Sequence, residues 1–170
     1  MKKNNIVLVG MPASGKTTIG NLLIKELPDY TLIDTDSLIE KTEGMMITEI
    51  FSKYGEDYFR SLEHDAIKMV CSGNKKIISI GGGAFENADN RITLLNFGKV
   101  FYLKSDLDIL YCRISEDTTR PLLQQKNPKE ILKKLLEKRE ENYNKADYII
   151  DTSFMNEKEI IRYILNETNT

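Results

Sequence analysis

The feature that most constrains this chain is the octapeptide GMPASGKT at residues 10–17, which fits the P-loop pattern G-x-x-x-x-G-K-[ST]. Small residues in such a loop let backbone N–H groups turn inward around an anion, and the following helix points its positive end at the same anion. Lys16 supplies a cation for the β- and γ-phosphates of a nucleotide, and Thr17 supplies a hydroxyl for Mg²⁺. The motif therefore predicts a strand, a phosphate-binding loop and a helix, in that order.

The residues on either side of the loop agree with that prediction. The apolar run Ile6–Val9 is typical of a buried strand, and apolar residues after the loop recur at helical spacing at Ile19, Leu22, Leu23 and Leu27. The alternative is an ordinary strand-to-helix turn that carries a surface lysine. Because the strand, loop and helix signals coincide, we favour the nucleotide-binding interpretation.

Short apolar runs alternate with longer amphipathic stretches along the rest of the chain. Further strands are predicted at residues 31–33, 76–80, 100–103 and 148–150, and helical stretches include residues 38–51, 58–70, 133–142 and 156–166. Such alternation is typical of an α/β fold in which helices cover both faces of a parallel sheet. Because ligands bind at the carboxyl ends of the strands in these folds, the loops that follow the strands are the candidate site.

Length and composition set further bounds. The 170 residues suit a single domain spanning residues 1–170. A net charge of −2 provides no basic field for nucleic acid or an anionic membrane, and no apolar run approaches the ~20 residues that span a bilayer. Cys71 and Cys112 stand apart from each other and from clustered histidines, so we interpret them as reduced thiols. We therefore expect a monomeric, cytoplasmic protein with no nucleic-acid or membrane partner.

An acidic pair follows the second predicted strand. Asp34 and Asp36 stand at i and i+2 of an extended segment, so both carboxylates project to one side. Near Lys16 and Mg²⁺, one would hold the water shell of the metal and the other would accept a proton from a substrate hydroxyl. The alternative is a helix N-cap formed by Asp36 or Ser37, and the two roles are compatible.

Two more clusters are weaker when taken alone. The glycine run Gly81–Gly83 follows the third predicted strand, where the absence of side chains lets a ligand approach the backbone, although a flexible turn would use the same residues. Arg60 and Glu63 stand at i and i+3 of a predicted helix, which by itself indicates a charge pair on a solvated face.

Three arginines, Arg113, Arg120 and Arg139, are candidate ligands for carboxylate or phosphate because a guanidinium binds both in a bidentate manner. Arg139 stands in a charged helical run, where a solvated helix face is the alternative. Arg120 lies in the polar segment 115–127 between two helical runs. A connection of that length is either disordered or functional, and in a kinase it is the natural place for a mobile lid.

Taken together, these motifs resemble those of the shikimate kinase family, over nearly the whole chain from Gly10 to about Thr152. The matching pieces are the P-loop, Asp34-x-Asp36, Phe59-Arg60-x-x-Glu63, Gly81–Gly83, Arg120-Pro121-Leu122, and Arg139 followed by Tyr143 and Ala146. The resemblance implies a three-layer P-loop kinase fold of the nucleoside-monophosphate-kinase type, with a five-stranded parallel sheet. It also implies Mg²⁺-dependent phosphorylation of the 3-hydroxyl of shikimate by ATP, in chorismate biosynthesis.

The resemblance also implies roles for the matching residues, with residues 37–64 as the acceptor-binding region. The catalytic residues would be Asp36, Lys16 and Arg120, and Mg²⁺ would be held by Thr17 and, through water, by Asp34. The nucleotide would be bound by Pro12, Ala13, Ser14, Gly15, Lys16, Thr17, Thr18, Arg113 and Arg120. Shikimate would be bound by Asp36, Phe59, Arg60, Gly81, Gly82, Gly83 and Arg139, the two arginines holding its carboxylate. Asp36 would orient or deprotonate the attacking hydroxyl.

Two positions depart from the family pattern. Many members carry Gly where this chain has Ala13, which would leave the P-loop slightly more constrained. The segment 153–156, where the family places a loop beside the adenine, matches no family feature. The residues on that side of the nucleotide are therefore not assigned by the sequence.

Other function classes share parts of this pattern. Residues 144–147, NKAD, spell a guanine-reading signature, but they precede a predicted strand, and no Asp stands three residues before a Gly as a GTPase switch requires. Gluconate-type and nucleoside-monophosphate kinases share the loop and the architecture, and a binding module without catalysis is a third alternative. The charged groups that match a working kinase argue against that module. The two arginines for a carboxylate favour a small anionic acceptor over a nucleotide.

Overall fold

The computed structural model describes residues 4–115 and 127–169, in which strands and helices alternate along the chain. The elements are β1 Ile6–Val9, α1 Lys16–Glu26, β2 Thr31–Asp34, α2 Thr35–Glu43, α3 Ile47–Val70, β3 Lys76–Ser79, a 3₁₀ turn Ala84–Glu86, α4 Ala88–Phe97, β4 Lys99–Lys104, α5 Leu107–Ser115, α6 Pro128–Tyr143, β5 Tyr148–Asp151 and α7 Glu157–Asn169. Each described strand coincides with a predicted apolar run to within a residue at either end.

The described strands form one five-stranded parallel sheet in the order β2-β3-β1-β4-β5. In the central strand, Val7 pairs with Ile78 of β3 on one side and with Val100 of β4 on the other. Successive side chains of a strand point to opposite faces, so each face of the sheet carries its own apolar layer. The predicted three-layer α/β fold is confirmed.

Two sets of helices cover the two faces of the sheet. Val7 and Val9 of β1 pack against apolar side chains of α3, α4, α5 and α6, whereas Ile6 and Leu8 pack against those of α1 and α7. All four of these β1 side chains are fully buried. The strand that precedes the P-loop is therefore buried on both faces and paired on both edges, which fixes where the loop begins.

The strand order brings the predicted motifs to one edge of the sheet. The chain runs from β1 through β2 to β3 on one side of β1 and then crosses to β4 on the other side. In parallel sheets the crevice at such a switch point, at the carboxyl ends of the strands, is where ligands bind. The P-loop follows β1, Asp36 follows β2 and Gly81–Gly83 follow β3, so all three reach this crevice.

The helices after β2 differ from the predicted stretch 38–51. That stretch is split because Gly44 ends α2 in the left-handed conformation, with φ of +67°, and α3 begins at Ile47. The residue that caps α2 is Asp34, whose Oδ1 accepts hydrogen bonds from the backbone N–H groups of Asp36 and Ser37. The alternative that Asp36 or Ser37 is the cap is therefore wrong, and Asp36 is left in the first turn of the helix.

Together, α2 and α3 enclose a small apolar cluster of their own beside the sheet, formed by Ile39, Ile50, Phe59 and Ala66. None of the described helices combines the length and the apolar character that crossing a bilayer requires. The division of residues 1–170 into a single domain with a lid at 115–127 stays a prediction, since most of that segment lies outside the described residues.

Candidate active site

The P-loop turns the chain from β1 into α1. The backbone N–H of Ser14 donates to the carbonyl of Met11 at 3.1 Å, which closes the turn. Gly15 precedes α1 with φ of +96°, a conformation that glycine adopts at little cost. The start of α1 is thereby aimed into the loop, where its free N–H groups and its dipole favour an anion.

The side chain of Lys16 lies across the loop. Its Nζ donates to the carbonyl oxygens of Gly10 and Met11, both at 2.9 Å. Ser14 is also buried here, and its hydroxyl has no hydrogen-bond partner among the described residues. Phosphate oxygens are stronger acceptors than neutral carbonyls, so an anion in the loop would draw hydrogen bonds from both groups.

Ala13 occupies a position that would suit glycine. Its φ is +63°, in the left-handed region where an alanine costs roughly 1–2 kcal/mol. The expectation that this residue constrains the loop thus has a physical basis in its backbone. The carbonyl of Ala13 accepts a hydrogen bond from Nη1 of Arg113 at 3.2 Å, which brings α5 to the rim of the loop.

One cleft of about 950 Å³ brings the predicted nucleotide residues together. Of those within the described part of the chain, all line it: Pro12, Ala13, Ser14, Gly15, Lys16, Thr17, Thr18 and Arg113. Asp34, Asp36 and Gly82 line it as well. The predicted Arg120 lies outside the described residues. A cleft of this size is typical of a site for a small molecule or cofactor.

The far wall of the cleft belongs to the loop after β5 and to the start of α7, which the sequence did not assign. Its lining residues are Thr152, Met155, Asn156, Glu157, Lys158 and Ile160. Asn156 and Glu159 exchange side-chain and backbone hydrogen bonds at 2.8 and 3.1 Å in a capping box. The predicted helical stretch 156–166 places this helix start correctly, but the sequence did not indicate that it forms a wall of the cleft.

A divalent cation fits the oxygen ligands available beside the P-loop. Thr17 and Asp34 line the same cleft, and the Asp34 carboxylate is held in place because its Oδ1 caps α2. Among residues 4–115 and 127–169, no group of three or more His, Cys, Asp or Glu side chains could hold a metal ion by itself. Mg²⁺ suits such a site because it keeps several waters and takes its remaining ligands from one or two side chains and substrate phosphates.

The loop after β3 is fastened to the end of β2 through Thr35. Its Oγ1 accepts from the backbone N–H of Gly81 at 3.1 Å and lies 3.4 Å from the carbonyl of Ser79, to which it donates. A Cβ on Gly81 would lie 2.5 Å from Oδ1 of Asp36 and 2.8 Å from Oε1 of Glu63. Gly81 is therefore required by close approach, and it brings both carboxylates against the glycine loop.

Arg60 is held by two glutamates. Its Nη1 donates to Oε2 of Glu63 at 2.5 Å, while its Nε and Nη2 donate to Oε1 of Glu56 at 3.2 and 2.9 Å. The side chain of Glu63 is only 2% exposed, so the pair does not lie on a solvated face. Burial raises the pKa of Glu63, although the hydrogen bond from Arg60 opposes that shift.

Arg139 approaches the same loop from α6. Its side chain is 9% exposed, and its Nε donates to Oε1 of Glu86 at 2.7 Å, so it too is not on a solvated face. A Cβ on Gly82 would lie 3.2 Å from its Nη1. Burial alone would raise the pKa of Glu86, but the hydrogen bonds and charges of Arg139 and Lys138 hold that pKa below its ordinary value.

The structure thus brings the predicted acceptor residues together around the glycine loop, and Phe59 is the one whose placement differs from the prediction. Phe59 is 4% exposed and packs in the apolar cluster between α2 and α3, with the Arg60 guanidinium 5.6 Å from its ring centre. Its ring supports Arg60 through this contact. Of the predicted acceptor residues, all of which are described, Asp36 and Gly82 line the cleft itself. We call Asp36, Arg60, Gly81–Gly83 and Arg139 the acceptor side of the cleft, and residues 10–18 the phosphate side.

The guanine-reading alternative does not fit the geometry. Residues 144–147 precede β5 and therefore lie at the amino edge of the sheet, opposite the P-loop. Oδ2 of Asp147 accepts a hydrogen bond from the backbone N–H of Val100 at 2.9 Å, which joins the starts of β4 and β5. This aspartate has a structural role, away from the nucleotide site.

Comparisons with known proteins show the family of the chain. The shikimate kinase family model matches residues 12–169. A shikimate kinase of Thermodesulfovibrio yellowstonii is 40% identical over 163 residues, covering 96% of this chain and 94% of the relative, and one of Nostoc sp. is 44% identical over 143 residues, covering 84% and 78%. The structure of the Acinetobacter baumannii shikimate kinase in complex with shikimate superposes with a TM-score of 0.89 at 36% identity, covering 96% of this chain and 92% of that one.

The family model begins within the P-loop and extends through α1, the acceptor side and α7. The sheet order and the placement of the motifs were established above without these comparisons. By its sequence and by its fold, this chain belongs to the shikimate kinase family.

Proposed function

We propose that this protein transfers the γ-phosphoryl group of ATP to the 3-hydroxyl of shikimate, giving ADP and shikimate 3-phosphate in chorismate biosynthesis. The observation that carries the proposal is the pair of buried or half-buried arginines, Arg60 and Arg139, at a glycine loop that faces the P-loop. Guanidinium groups bind carboxylates in a bidentate manner, and shikimate carries one carboxylate together with hydroxyl groups. Relatives that bear this family name and the shikimate-bound neighbour support the assignment.

On the phosphate side, the amides of residues 10–18 and the Lys16 ammonium would hold the β- and γ-phosphates. Lys16 would exchange its contacts with the carbonyls of Gly10 and Met11 for contacts with phosphate oxygens. Phosphoryl transfer depends on positioning and on neutralising charge more than on covalent chemistry. A loop that offers several donors in fixed positions supplies both.

On the acceptor side, Arg60 and Arg139 would hold the carboxylate at the end of shikimate remote from the reacting hydroxyl, which fixes its orientation. Asp36, against Gly81, would orient the 3-hydroxyl and accept its proton as that oxygen bonds to the γ-phosphorus and the bond to ADP breaks. Arg113 would flank the adenine. Arg120, outside the described residues, would neutralise charge on the transferred group.

Thr17 and Asp34 would hold Mg²⁺, Asp34 through water. When bound, the metal neutralises charge on the phosphates. Kinases that use ATP need a divalent metal, and the assignment to magnesium rests on the oxygen ligands that Thr17 and Asp34 offer at this site. Monomeric and cytoplasmic states are further proposals, the first of which gel filtration tests.

The test is a coupled assay of ADP release with shikimate, gluconate and AMP as acceptors. We expect turnover with shikimate alone among the three, abolished by a chelator and restored by Mg²⁺. Turnover with gluconate or AMP at comparable efficiency would contradict the proposal. The methyl ester of shikimate should be a poor substrate, because it removes the charge that the arginines bind.

A further inference from the structure

Glu86 stands at the end of the 3₁₀ turn that directly follows the glycine loop. Its backbone N–H donates to the carbonyl of Gly83 at 3.1 Å, so the loop fixes the position of this residue. Its side chain is 19% exposed, and Oε1 accepts from Nε of Arg139 at 2.7 Å. Sequence motifs gave no role to Glu86, yet it accepts a hydrogen bond from Arg139, one of the two proposed substrate arginines.

The face of α6 that meets this turn carries Arg139 and Tyr143, which are four residues apart and so lie one above the other. Tyr143 donates its hydroxyl to the carbonyl of Gly82, and its ring stacks on Phe85 with ring centres 6.5 Å apart. One hydrogen bond, one ring stack and the ion pairs of Arg139 and Lys138 with Glu86 therefore join α6 to the glycine loop and the turn after it. The Arg139–Glu86 pair lies on that rigid base.

The pair also fixes which end of the guanidinium faces the glycine loop. With Nε of Arg139 engaged by Glu86, the terminal nitrogens extend toward Gly82, since a Cβ there would lie 3.2 Å from Nη1. Arg60 shares only part of this arrangement, because Glu56 binds both its Nε and its Nη2 while Nη1 donates to Glu63 at the glycine loop. In both arginines a glutamate accepts from Nε and a terminal nitrogen lies against the glycine loop.

We propose that Glu86 is a positioning residue for shikimate, acting through Arg139 by holding the guanidinium so that its terminal N–H groups meet the substrate carboxylate. The inference rests on the proposed function. A second effect opposes positioning, since the carboxylate of Glu86 also repels an anionic substrate close to it. If repulsion were the larger effect, removing Glu86 would tighten binding. Positioning predicts weaker binding instead, because Arg139 loses its fixed orientation.

The experiment compares Glu86→Ala with Glu86→Gln in steady-state assays with shikimate and ATP. Glu86→Ala should raise KM for shikimate by about 10-fold, near the lower limit for losing a hydrogen bond to a charged group, with kcat and KM for ATP little changed. Glutamine keeps a carbonyl oxygen that accepts from Nε, so Glu86→Gln should stay within about 3-fold of the parent KM. With shikimate methyl ester, Glu86→Ala and the parent should have equal kcat/KM.

Two controls separate positioning from general damage. Lys138→Ala removes the other cation that contacts Glu86. The Nζ of Lys138 lies 3.1 Å from Oε2 of Glu86, and the lysine side chain is 72% exposed, so this variant should leave both KM values unchanged. In an Arg139→Lys background, Glu86→Ala should have no further effect on KM, because lysine lacks the Nε–H that Glu86 accepts. Circular dichroism tests whether each variant is folded. If Glu86→Ala does not fold, Glu86→Gln, whose side chain has the same shape as that of the parent, still tests the proposal.

Each outcome decides the proposal. An unchanged or lowered KM in Glu86→Ala would overturn it, as would equal increases in Glu86→Ala and Glu86→Gln. An effect of the same size with the methyl ester, or in the Arg139→Lys background, would overturn it too. A parent enzyme that does not phosphorylate shikimate overturns the proposed function along with the inference, whereas an active parent with any of the other results overturns the inference alone.

Discussion

The two sides of the cleft are built in different ways. The phosphate side uses consecutive residues, 10–18, and its donors are largely backbone N–H groups aimed by one loop and one helix start. The acceptor side gathers side chains from α2, α3, the 3₁₀ turn and α6, and holds them with ion pairs such as Arg60–Glu63 and Arg139–Glu86. The first side depends on local conformation, whereas the second depends on long-range packing.

This difference determines how substitutions should act. A change on the acceptor side removes a unique side chain, so it should affect the acceptor and leave ATP binding intact. A change to the phosphate-side backbone should act through conformational strain, because several amides share the same ligand. Lys16 is the exception on that side, as a single side chain with a charge.

The largest expected effect is that of Asp36→Asn. Asparagine keeps the shape of the side chain but cannot take the proton of the hydroxyl, so kcat should fall by about 10²–10⁴-fold while KM for ATP changes little. Asp89→Asn is the matched control, because Asp89 is exposed and stands at the same place in its helix as Asp36. Its backbone N–H donates to the side chain of Asn87, the residue that caps α4. A loss in kcat below about 3-fold would leave Asp36 with no more than a place in the first turn of α2.

Lys16→Ala should lower kcat by about 10²–10³-fold, the usual cost of removing one group that stabilises charge in the transition state. The fold should persist, since the hydrogen bonds of Lys16 to the carbonyls of Gly10 and Met11 lie within the loop and not in the apolar core. Lys25→Ala, on the exposed face of the same helix, is the control and should behave as the parent. Coupled ADP release and circular dichroism are measured together, and normal turnover in Lys16→Ala would refute the phosphate-side assignment.

The acceptor side is best tested with a conservative substitution of Arg60. Arg60→Ala would leave Glu63 buried without its cation, so a loss of stability would obscure the kinetics. Arg60→Lys keeps the charge but loses the planar fork, and it should raise KM for shikimate by about 10-fold or more with KM for ATP unchanged. Arg162→Lys, on an exposed position of α7, is the control. An equal rise in both KM values would show that the two sides are not separate.

The same contrast explains what the sequence predicts and what it does not. The strand β1 is predicted to the residue, and the P-loop and the helix after it are predicted in the right place, because a local pattern encodes a local conformation. The sheet and the carboxyl-edge location of Asp36 and Gly81–Gly83 follow from the alternation of elements.

Contacts between distant elements are not encoded locally. Charge spacing alone places Arg60, Glu63 and Arg139 on solvated helix faces, whereas burial against the glycine loop makes them part of the site. The roles of Thr35 and Glu86 depend on β2 and α6 meeting that loop, which no spacing reveals. The helix start at Asn156 is different, since its capping box is a local signal.

The smallest expected effect is that of Ala13→Gly, and it probes the conformational character of the phosphate side. Glycine relieves the cost of roughly 1–2 kcal/mol that alanine incurs at φ of +63°, while it adds about 0.5–1 kcal/mol of entropy to the unfolded chain. The free energy of unfolding should therefore rise by up to about 1 kcal/mol, measured by urea denaturation with an unchanged m-value. Ala66→Gly, inside α3, is the control with the opposite sign, because glycine in a helix interior costs about 1 kcal/mol. Destabilisation in Ala13→Gly would mean that contacts of the Ala13 methyl group, and not its backbone, decide this position, and the phosphate side would then resemble the acceptor side in depending on side-chain packing.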